Sequence, residues 1–165
     1  MKIRLAKPED AKQIAEVHVI SWKEAYKNIM TEKTLSSITV AKQKKEWDKY
    51  LKDEHAQTLV AEKDGRIVGF VIFGDTWDGD LEDKADKSLE IYSIYVDPAE
   101  FGKGIGTELL KEMRKHDKRK EVYVWVVVEN KWGQFFVKHG FKKQKKTLKD
   151  FNFKGEIFPI IRYKK

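Results

Sequence analysis

The chain has 165 residues, and 41% of them are hydrophobic, including five Trp and nine Phe. This composition favours a single packed domain over 1–165. It has no Cys and no apolar run of the length that a signal peptide or a membrane span needs, which excludes disulfides and thiolate chemistry and predicts a cytoplasmic protein without a membrane partner. The net charge of +7 comes mostly from dispersed Lys while Arg is scarce, which favours a Lys-rich solvated surface over nucleic-acid binding, so we expect no nucleic-acid partner.

The first third of the chain predicts a strand followed by two helices. Residues 2–6 have a strand pattern, and Pro8 is suited to the first turn of a helix. Apolar residues then recur at three- and four-residue spacing as far as Ala25, which indicates an amphipathic helix. After a break in this pattern, Thr39 is placed to cap a second helix that continues to Leu51.

A β-hairpin and a long polar loop come next. Residues 58–62 and 66–73 have strand patterns on either side of an Asp-Gly turn. The loop over 75–88 carries acids at positions 75, 78, 80, 82, 83 and 86, which raises the question of calcium binding. An EF-hand loop counted back from Gly79 would need an oxygen ligand at position 74, which is Gly. We therefore expect no metal site and a flexible loop near the substrate.

The rest of the chain alternates strands and helices. The patterns predict a strand over 89–96, a helix over 104–115, a strand over 121–128, a short helix over 131–138, and strands near 141–148 and 157–163. We therefore predict an α/β fold with a mixed, mostly antiparallel central sheet of about six to seven strands flanked by about four helices. The basic tract over 142–146 is expected at an edge of the last strand pair, where Lys discourages aggregation.

A glycine turn joins the strand over 89–96 to the next helix and is the most informative segment. Gly102, Gly104 and Gly106 permit positive φ and let a ligand approach the backbone without meeting a Cβ. The first N–H groups of the helix are unpaired, and the helix dipole adds partial positive charge there. The segment therefore predicts a site for an anion such as a phosphate.

Two common phosphate-binding loops do not match this turn. A P-loop requires Gly-Lys-Ser/Thr, whereas Lys103 is followed by Gly104. A dinucleotide fingerprint requires a third Gly at the position of Thr107. On the spacing alone, a tight strand-to-helix turn without a ligand stays the alternative.

The same run resembles motif A of the GNAT N-acetyltransferase superfamily, Gln/Arg-x-x-Gly-x-Gly/Ala, with Gly104 and Gly106 at its glycine positions. Residues 94–98 resemble the strand and turn before that motif, and residues 135–141 resemble the family ending Phe-Tyr-Glu-Lys-x-Gly-Phe. Residues 17–26 resemble the first helix of a bacterial branch of small single-domain members. The resemblance implies a GNAT-like fold and acetyl-CoA-dependent transfer of an acetyl group to a primary amine of a small molecule or a peptide.

In the resembled family the glycine turn binds the pyrophosphate of acetyl-CoA, and the strand before it pairs with the pantetheine arm through its backbone. Asn130 is placed to hydrogen bond with the pantetheine amides, and capping the next helix is a compatible role. The resemblance therefore implies cofactor contacts from Ile94, Tyr95, Val96, Gly102, Lys103, Gly104, Ile105, Gly106, Thr107, Asn130 and Phe136.

The implied reaction needs a base that removes a proton from the amine and N–H groups that stabilise charge on the thioester oxygen. Glu90 is the candidate base, because related sequences often carry Glu there and strand alternation places it on the same face as Tyr92 and Ile94. An ordinary strand-end carboxylate is the alternative. On the first helix, His18, Trp22 and Tyr26 are candidates for lining the acceptor pocket, with core packing as the alternative.

Two departures from the family pattern concern the site. Phe101 replaces the Gln/Arg of motif A, although the backbone N–H groups survive this change. Phe136 replaces the Tyr that usually protonates the departing thiolate, and the spacing from Asn130 to the final Gly-Phe is one residue shorter than usual. The candidate replacement donors are Tyr92, Tyr95, Tyr123 and water. A non-catalytic acyl-CoA-binding module is therefore the alternative function, and a homodimer is a possible assembly.

Overall fold

In the computed structural model, which describes residues 1–79 and 87–165, eight strands form one mixed sheet and five α-helices pack against it. The strands are β1 (Lys2–Leu5), β2 (Ala56–Lys63), β3 (Arg66–Gly74), β4 (Ser88–Val96), β5 (Glu121–Val127), β6 (Lys142–Lys143), β7 (Lys149–Phe153) and β8 (Glu156–Lys164). The helices are α1 (Ala11–Tyr26), α2 (Glu32–Ser37), α3 (Val40–Tyr50), α4 (Ile105–His116) and α5 (Gly133–Lys138).

The strand order is β1-β2-β3-β4-β5-β8-β6, and β7 also pairs with β8. Only β4 and β5 are parallel among the paired strands of the described chain. The prediction of a mixed, mostly antiparallel sheet flanked by helices is therefore confirmed. None of the helices in the described part of the chain combines the length and apolarity that crossing a membrane requires.

Two elements differ from the sequence prediction. Helix α2 lies where the apolar periodicity breaks; the side chain of Thr31 caps it by accepting from the N–H of Thr34 at 3.3 Å. The carboxylate of Glu156 on β8 also accepts from the N–H of Thr31 at 3.2 Å, so a distant strand helps to hold this short helix. The single strand predicted near 141–148 is wrong, because the chain forms the two-residue edge strand β6 and then a 3-10 turn over Lys145–Thr147.

Side chains from both faces of the sheet form the core. On one face, Leu109 and Met113 of α4 pack against Leu89 and Ile91 of β4. On the other face, α1 and α3 cover β2 and β3, and Trp47 of α3 is 1% exposed. The helices thereby fix β4 in the middle of the sheet with both of its faces covered.

The pairing of β4 with β5 ends early. The two strands are in register only from Ser88 opposite Glu121 to Ile91 opposite Val124. Beyond that point β4 stays paired with β3 while β5 continues along β8. The strands therefore diverge, and the edge of β4 that faces β5 is left open to a cleft.

A β-bulge lies in β4 at the same level. Ser93 pairs with Ile72 of β3 and Ile91 pairs with Phe73, so Tyr92 is the extra residue of the bulge. The extra residue reverses the alternation beyond it, and Ile94 packs with the α4 core while Tyr92 and Tyr95 pack on the α1 side. The prediction that Ile94 shares a face with Glu90 and Tyr92 is therefore wrong.

Candidate active site

A cleft of about 430 Å³ opens where β4 and β5 diverge. One wall is the backbone of β4 from Tyr92 to Val96, and the other is formed by Val124–Val126 of β5 and by Asn130. The glycine turn and the first residues of α4 form one end, and α5 contributes Phe135 and Phe136. The cleft therefore joins the predicted anion site to the open edge of a strand.

The glycine turn has the geometry that the sequence predicts. Gly102 and Gly104 both have φ of +79°, and a Cβ built on either would meet nothing within 4 Å. The N–H of Glu108 donates to the carbonyl of Gly104 at 3.1 Å, which is the first bond of the α4 ladder. The N–H groups of Ile105–Thr107 therefore precede the ladder and are available to an anion in the cleft.

Gly106 has a different role from the other two glycines. A Cβ at this position would lie 3.1 Å from two ring carbons of Phe135. The missing side chain therefore lets α5 pack closely against the first turn of α4. This contact brings Phe135 and Phe136 to the cleft.

The charged side chains of the turn neutralise one another. Glu100 lies 3.0 Å from the ammonium of Lys63 and 3.1 Å from that of Lys103. Hydrogen bonds from these two Lys lower the pKa of the Glu100 carboxyl. Lys103 also donates to the carbonyl of Ala99 at 3.1 Å, so its side chain folds back on the turn and its backbone is the part that faces a ligand.

The aromatic wall beside the turn includes Trp132, a residue that the sequence analysis did not select. Phe101 packs on Trp132 with ring centroids 4.8 Å apart, and both line the cleft. Asn130 accepts from the N–H of Trp132 at 3.0 Å through its side-chain oxygen, which orders the turn before α5. The N-cap of α5 is Trp132 and has no side-chain cap bond, so the capping role predicted for Asn130 is wrong, and its bond orders the turn before the helix instead.

His139 is a second residue that sequence reasoning missed. Its Nε2 atom lies 3.0 Å from the hydroxyl of Thr107, and its Nδ1 atom lies 2.7 Å from the carbonyl of Phe135. The imidazole thereby ties α5 to the first turn of α4 beside the anion site. The available signal was its position within residues 135–141, which resemble the family ending.

Glu90 and Tyr123 lie beyond the deep end of the cleft, opposite each other in the last paired part of β4 and β5. Glu90 accepts from the N–H of Trp77 and from the hydroxyl of Thr76, both at 3.2 Å. Burial raises the pKa of the Glu90 carboxyl, and the nearby Asp78 adds to this effect. Tyr123 is 1% exposed and donates to Glu121 at 2.6 Å, so its hydroxyl is directed away from the cleft.

Tyr92 and Phe136 both line the cleft. The hydroxyl of Tyr92 donates to the backbone carbonyl of Asp75, and burial raises the pKa of this Tyr to about 12. Phe136 is 6% exposed, and its ring packs edge-on against the rings of Phe135 and Phe141. The position of the usual general acid therefore presents an apolar ring to the cleft.

The three aromatic residues predicted on α1 have different environments. His18 stacks on Tyr95 with ring centroids 5.3 Å apart and accepts from the indole N–H of Trp47 at 3.2 Å, so its half-buried ring packs against core aromatic residues and does not line the cleft. Trp22 is 8% exposed and packs between Tyr26 and Phe153. Tyr26 alone of the three lines the cleft.

The hydroxyl of Tyr26 makes polar contacts across the divergence of the strands. Its neighbours are the side chains of Tyr95 on β4 and Asn130 after β5. Burial raises the pKa of Tyr26, and the two contacts oppose that rise. On the same helix, the hydroxyl of Ser21 donates to the carbonyl of Val96 at 2.7 Å and holds α1 against β4.

The acidic loop lies partly outside the described residues. Positions 80, 82, 83 and 86 fall there, whereas Asp75 pairs with Arg119 at 2.7 Å and Asp78 pairs with Arg162 at 3.1 Å. Over 1–79 and 87–165, no group of three or more His, Cys, Asp or Glu is arranged to hold a metal ion.

Comparison with known proteins identifies the family. The model of the acetyltransferase (GNAT) family matches residues 12–141. The chain belongs to the GNAT family of acetyltransferases. The resemblance found in the glycine turn and in the ending over 135–141 is thereby confirmed.

Two curated relatives are similar to this GNAT chain over most of the matched region. An uncharacterised N-acetyltransferase of Methanocaldococcus jannaschii is 34% identical over 110 residues, which are 61% of this chain and 48% of the relative. An uncharacterised N-acetyltransferase of Bacillus subtilis is 29% identical over 133 residues, which are 78% of this chain and 72% of the relative. The aligned region thus spans about half of the archaeal relative.

A solved GNAT structure is similar over the full length. The PaiA N-acetyltransferase from Thermoplasma acidophilum, whose crystal structure is in complex with coenzyme A, is 27% identical with a TM-score of 0.70. The alignment covers 100% of both chains. The fold of this chain is therefore the GNAT fold from its first strand to its last.

Proposed function

We propose that this chain is an acetyl-CoA-dependent N-acetyltransferase that moves an acetyl group directly to a primary amine of a small molecule or a peptide. The observation that carries the proposal is the cleft between β4 and β5, which ends at Gly102, Gly104 and the first turn of α4. Membership of the GNAT family and the coenzyme A held by the Thermoplasma structure support the choice of cofactor.

Two parts of the cleft suit two parts of acetyl-CoA, the pyrophosphate and the pantetheine arm. The pyrophosphate would accept from the N–H groups of Ile105–Thr107, where the helix dipole favours negative charge. The pantetheine arm would lie along the open edge of β4 and pair with the backbone of Ile94–Val96 as an added strand does. The amide nitrogen of Asn130 faces the same space and can donate to it.

The chemistry would take place at the deep end of the cleft, near the bulge. The amine must be neutral to attack the thioester, and Glu90 would accept its proton directly or through a water. Burial of Glu90 raises its pKa, which makes this carboxylate a stronger base than an exposed Glu. Unpaired N–H groups of β4 would stabilise the negative charge that develops on the thioester oxygen.

A second function has one specific observation in its favour. Phe136 stands where the usual general acid would be, and a binding module needs no acid. This alternative is an acyl-CoA-binding module without turnover. Acetyl-CoA would bind in both cases, so binding and turnover must be measured separately.

Thermal unfolding with and without acetyl-CoA tests the binding step. Acetyl-CoA at about 100 times its Kd should stabilise the protein by roughly 2.7 kcal/mol. Absence of stabilisation would overturn both functions. When binding is present, release of free thiol with a panel of small diamines, amino acids and short peptides decides between enzyme and module.

The substitution Gly104→Asp tests the anion site within the same experiment. We expect it to abolish stabilisation by acetyl-CoA, because it places a side chain at φ of +79° and a negative charge beside the pyrophosphate. Gly65→Asp is the matched control: Gly65 has φ of +76° and open space around it, but it lies in the β2–β3 hairpin. Binding that survives in Gly104→Asp, or that is lost equally in Gly65→Asp, would contradict the site.

A further inference from the structure

A departing thiolate needs a proton, and the apolar ring of Phe136 cannot supply one. The hydroxyl groups that line the cleft within the described chain are therefore the candidates. They belong to Ser21, Tyr26, Tyr92, Ser93, Tyr95 and Thr107.

Three of these hydroxyls already have other partners. Ser21 donates to the carbonyl of Val96, and Tyr92 donates to the carbonyl of Asp75. Thr107, in the first turn of α4, lies 3.0 Å from the Nε2 atom of His139. The remaining hydroxyl groups are those of Tyr26, Ser93 and Tyr95. Because a phenol is a much stronger acid than the alcohol of Ser93, Tyr26 and Tyr95 are the better candidates.

Tyr26 is the member of this pair that bridges the gap in the sheet. It extends from the last turn of α1 and contacts Tyr95 on one diverging strand and Asn130 just after the other. Both contacts favour the charged form of Tyr26, as contacts from hydrogen-bond donors do. The phenol of Tyr26 therefore lines the cleft between the two diverging strands, beside the side chains of Tyr95 and Asn130.

The protonation state of Tyr26 suits a donor. Burial is the largest influence on its pKa and raises it, so the phenol carries its proton at neutral pH. Burial also raises the pKa of Tyr95, and contact with Tyr26 adds to that rise, so both phenols carry their protons at neutral pH.

We propose that Tyr26 is the general acid that protonates the coenzyme A thiolate, with Tyr95 and Asn130 stabilising the phenolate that forms. This inference rests on the proposed function. The amine nitrogen forms a bond to the thioester carbon as the π electron pair of the carbonyl moves to oxygen, and the amine proton passes to Glu90. The carbonyl then re-forms as the carbon–sulfur bond breaks, the electron pair of that bond moves to sulfur, and the proton of Tyr26 passes to sulfur. Tyr26 recovers a proton from Glu90 through water, so the net products are the amide and free coenzyme A.

The variant Tyr26→Phe tests the assignment through steady-state release of free thiol with the best amine of the panel. We expect kcat to fall about 100-fold, a typical contribution of a general acid, while the Kd of acetyl-CoA changes less than about 2-fold. Adding Phe136→Tyr to that variant returns a phenol to the cleft from α5, and we expect at least about a tenth of the wild-type kcat. Tyr50→Phe, which removes a hydroxyl from the exposed end of α3, is the matched control and should leave kcat unchanged.

A fluorinated tyrosine at position 26 provides a second test that preserves the shape of the side chain. Its phenol is more acidic, so the alkaline limb of the kcat profile should move to lower pH than in the wild-type protein. A contact that only supported the fold would leave this limb in place.

An unchanged kcat in Tyr26→Phe, or an alkaline limb that does not move with fluorotyrosine, would overturn the role of Tyr26 alone. A wild-type protein that binds acetyl-CoA but releases no thiol with any amine of the panel would instead overturn the proposed function, and the inference with it. The two failures are therefore distinguished by the wild-type assay.

Discussion

Glu90 occupies an environment in which a carboxyl group is half-buried and close to another acid. Loss of hydration and the charge of Asp78 raise its pKa, while the N–H of Trp77 and the hydroxyl of Thr76 partly stabilise its charged form. The carboxyl group proposed as the base therefore changes protonation at a higher pH than an exposed Glu does. This property makes its contribution visible in a pH profile.

We predict that kcat/KM falls as pH is lowered through the raised pKa of Glu90, because the protonated carboxyl cannot accept the amine proton. Glu90→Gln should lower kcat by about 100-fold and remove this acid limb, with the Kd of acetyl-CoA unchanged. Glu54→Gln, at an exposed carboxyl outside the cleft, is the control. An acid limb that persists in Glu90→Gln would assign it to another group.

Single residues differ in how far the sequence could predict their roles. The backbone of Gly102 and Gly104 is set by local chemistry, because positive φ and the absence of a Cβ are properties of Gly itself. The contacts of Tyr26 with Tyr95 and Asn130 depend on side chains brought together by the sheet, and no local pattern encodes them.

Among the helices and strands, too, features set by the local sequence were predicted and features set by distant contacts were missed. Caps such as Thr39, whose side chain accepts from the N–H of Lys42, are local and were predicted. Helix α2 was missed because Glu156, from the other end of the chain, helps to hold its first turn. The bulge at Tyr92 was also missed, since the alternation of polar and apolar residues is read on the assumption that no residue is inserted.

Helix α1 is joined to α3 and β4 through His18, whose ring lies among Trp47, Phe70 and Tyr95. Burial lowers the pKa of His18 to about 4 from a value of 6.5. The unfolded chain therefore takes up a proton at this residue before the folded chain does. Stability is lost as pH falls from about 6.5 to about 4 and is independent of this group above that window.

We predict that the free energy of unfolding of the wild-type protein, measured with urea, drops between pH 7 and pH 4.5 by about 2 kcal/mol more than that of His18→Gln. Gln does not titrate, and its amide oxygen can still accept from Trp47. Equal drops in the two proteins would show that His18 is charged or exposed in the folded state. The carboxyl groups titrate in both proteins, so their contribution cancels in the difference.

At the scale of the whole molecule, the net charge of +7 would attract an anionic cofactor. Many of the Lys side chains pair with neighbouring acids on the same helix, as Lys111 does with Glu108 and Lys115 with Glu112. The excess therefore acts as a diffuse field, which attracts phosphate without a dedicated Arg contact.

We predict that the Kd of acetyl-CoA rises by roughly 3- to 10-fold between 50 mM and 500 mM NaCl, because salt screens this field. Acetyl-pantetheine, which lacks the phosphates, is the control ligand and should bind with little salt dependence. Calorimetric titration measures both. A salt-independent Kd for acetyl-CoA would mean that the backbone N–H groups of the turn alone account for anion binding.

The assignment of the whole chain to one domain, the cytoplasmic location and the homodimer stay predictions. Sedimentation of the purified protein with and without acetyl-CoA would determine its assembly. The fold itself was predictable because strands, helices and the glycine turn follow one another in an order that few architectures accommodate.

The divergence of β4 and β5 creates an unpaired strand edge in the interior of a sheet. An exposed edge ordinarily invites aggregation, whereas this one lies in a cleft that is lined by residues of α1, α4 and α5. Binding of the pantetheine arm at this edge would depend on the backbone N–H and C=O groups of β4, which are the same for every residue other than Pro. The two functions of β4 are thus separate: its side chains pack into the cores on both faces of the sheet, while its backbone edge faces the cleft.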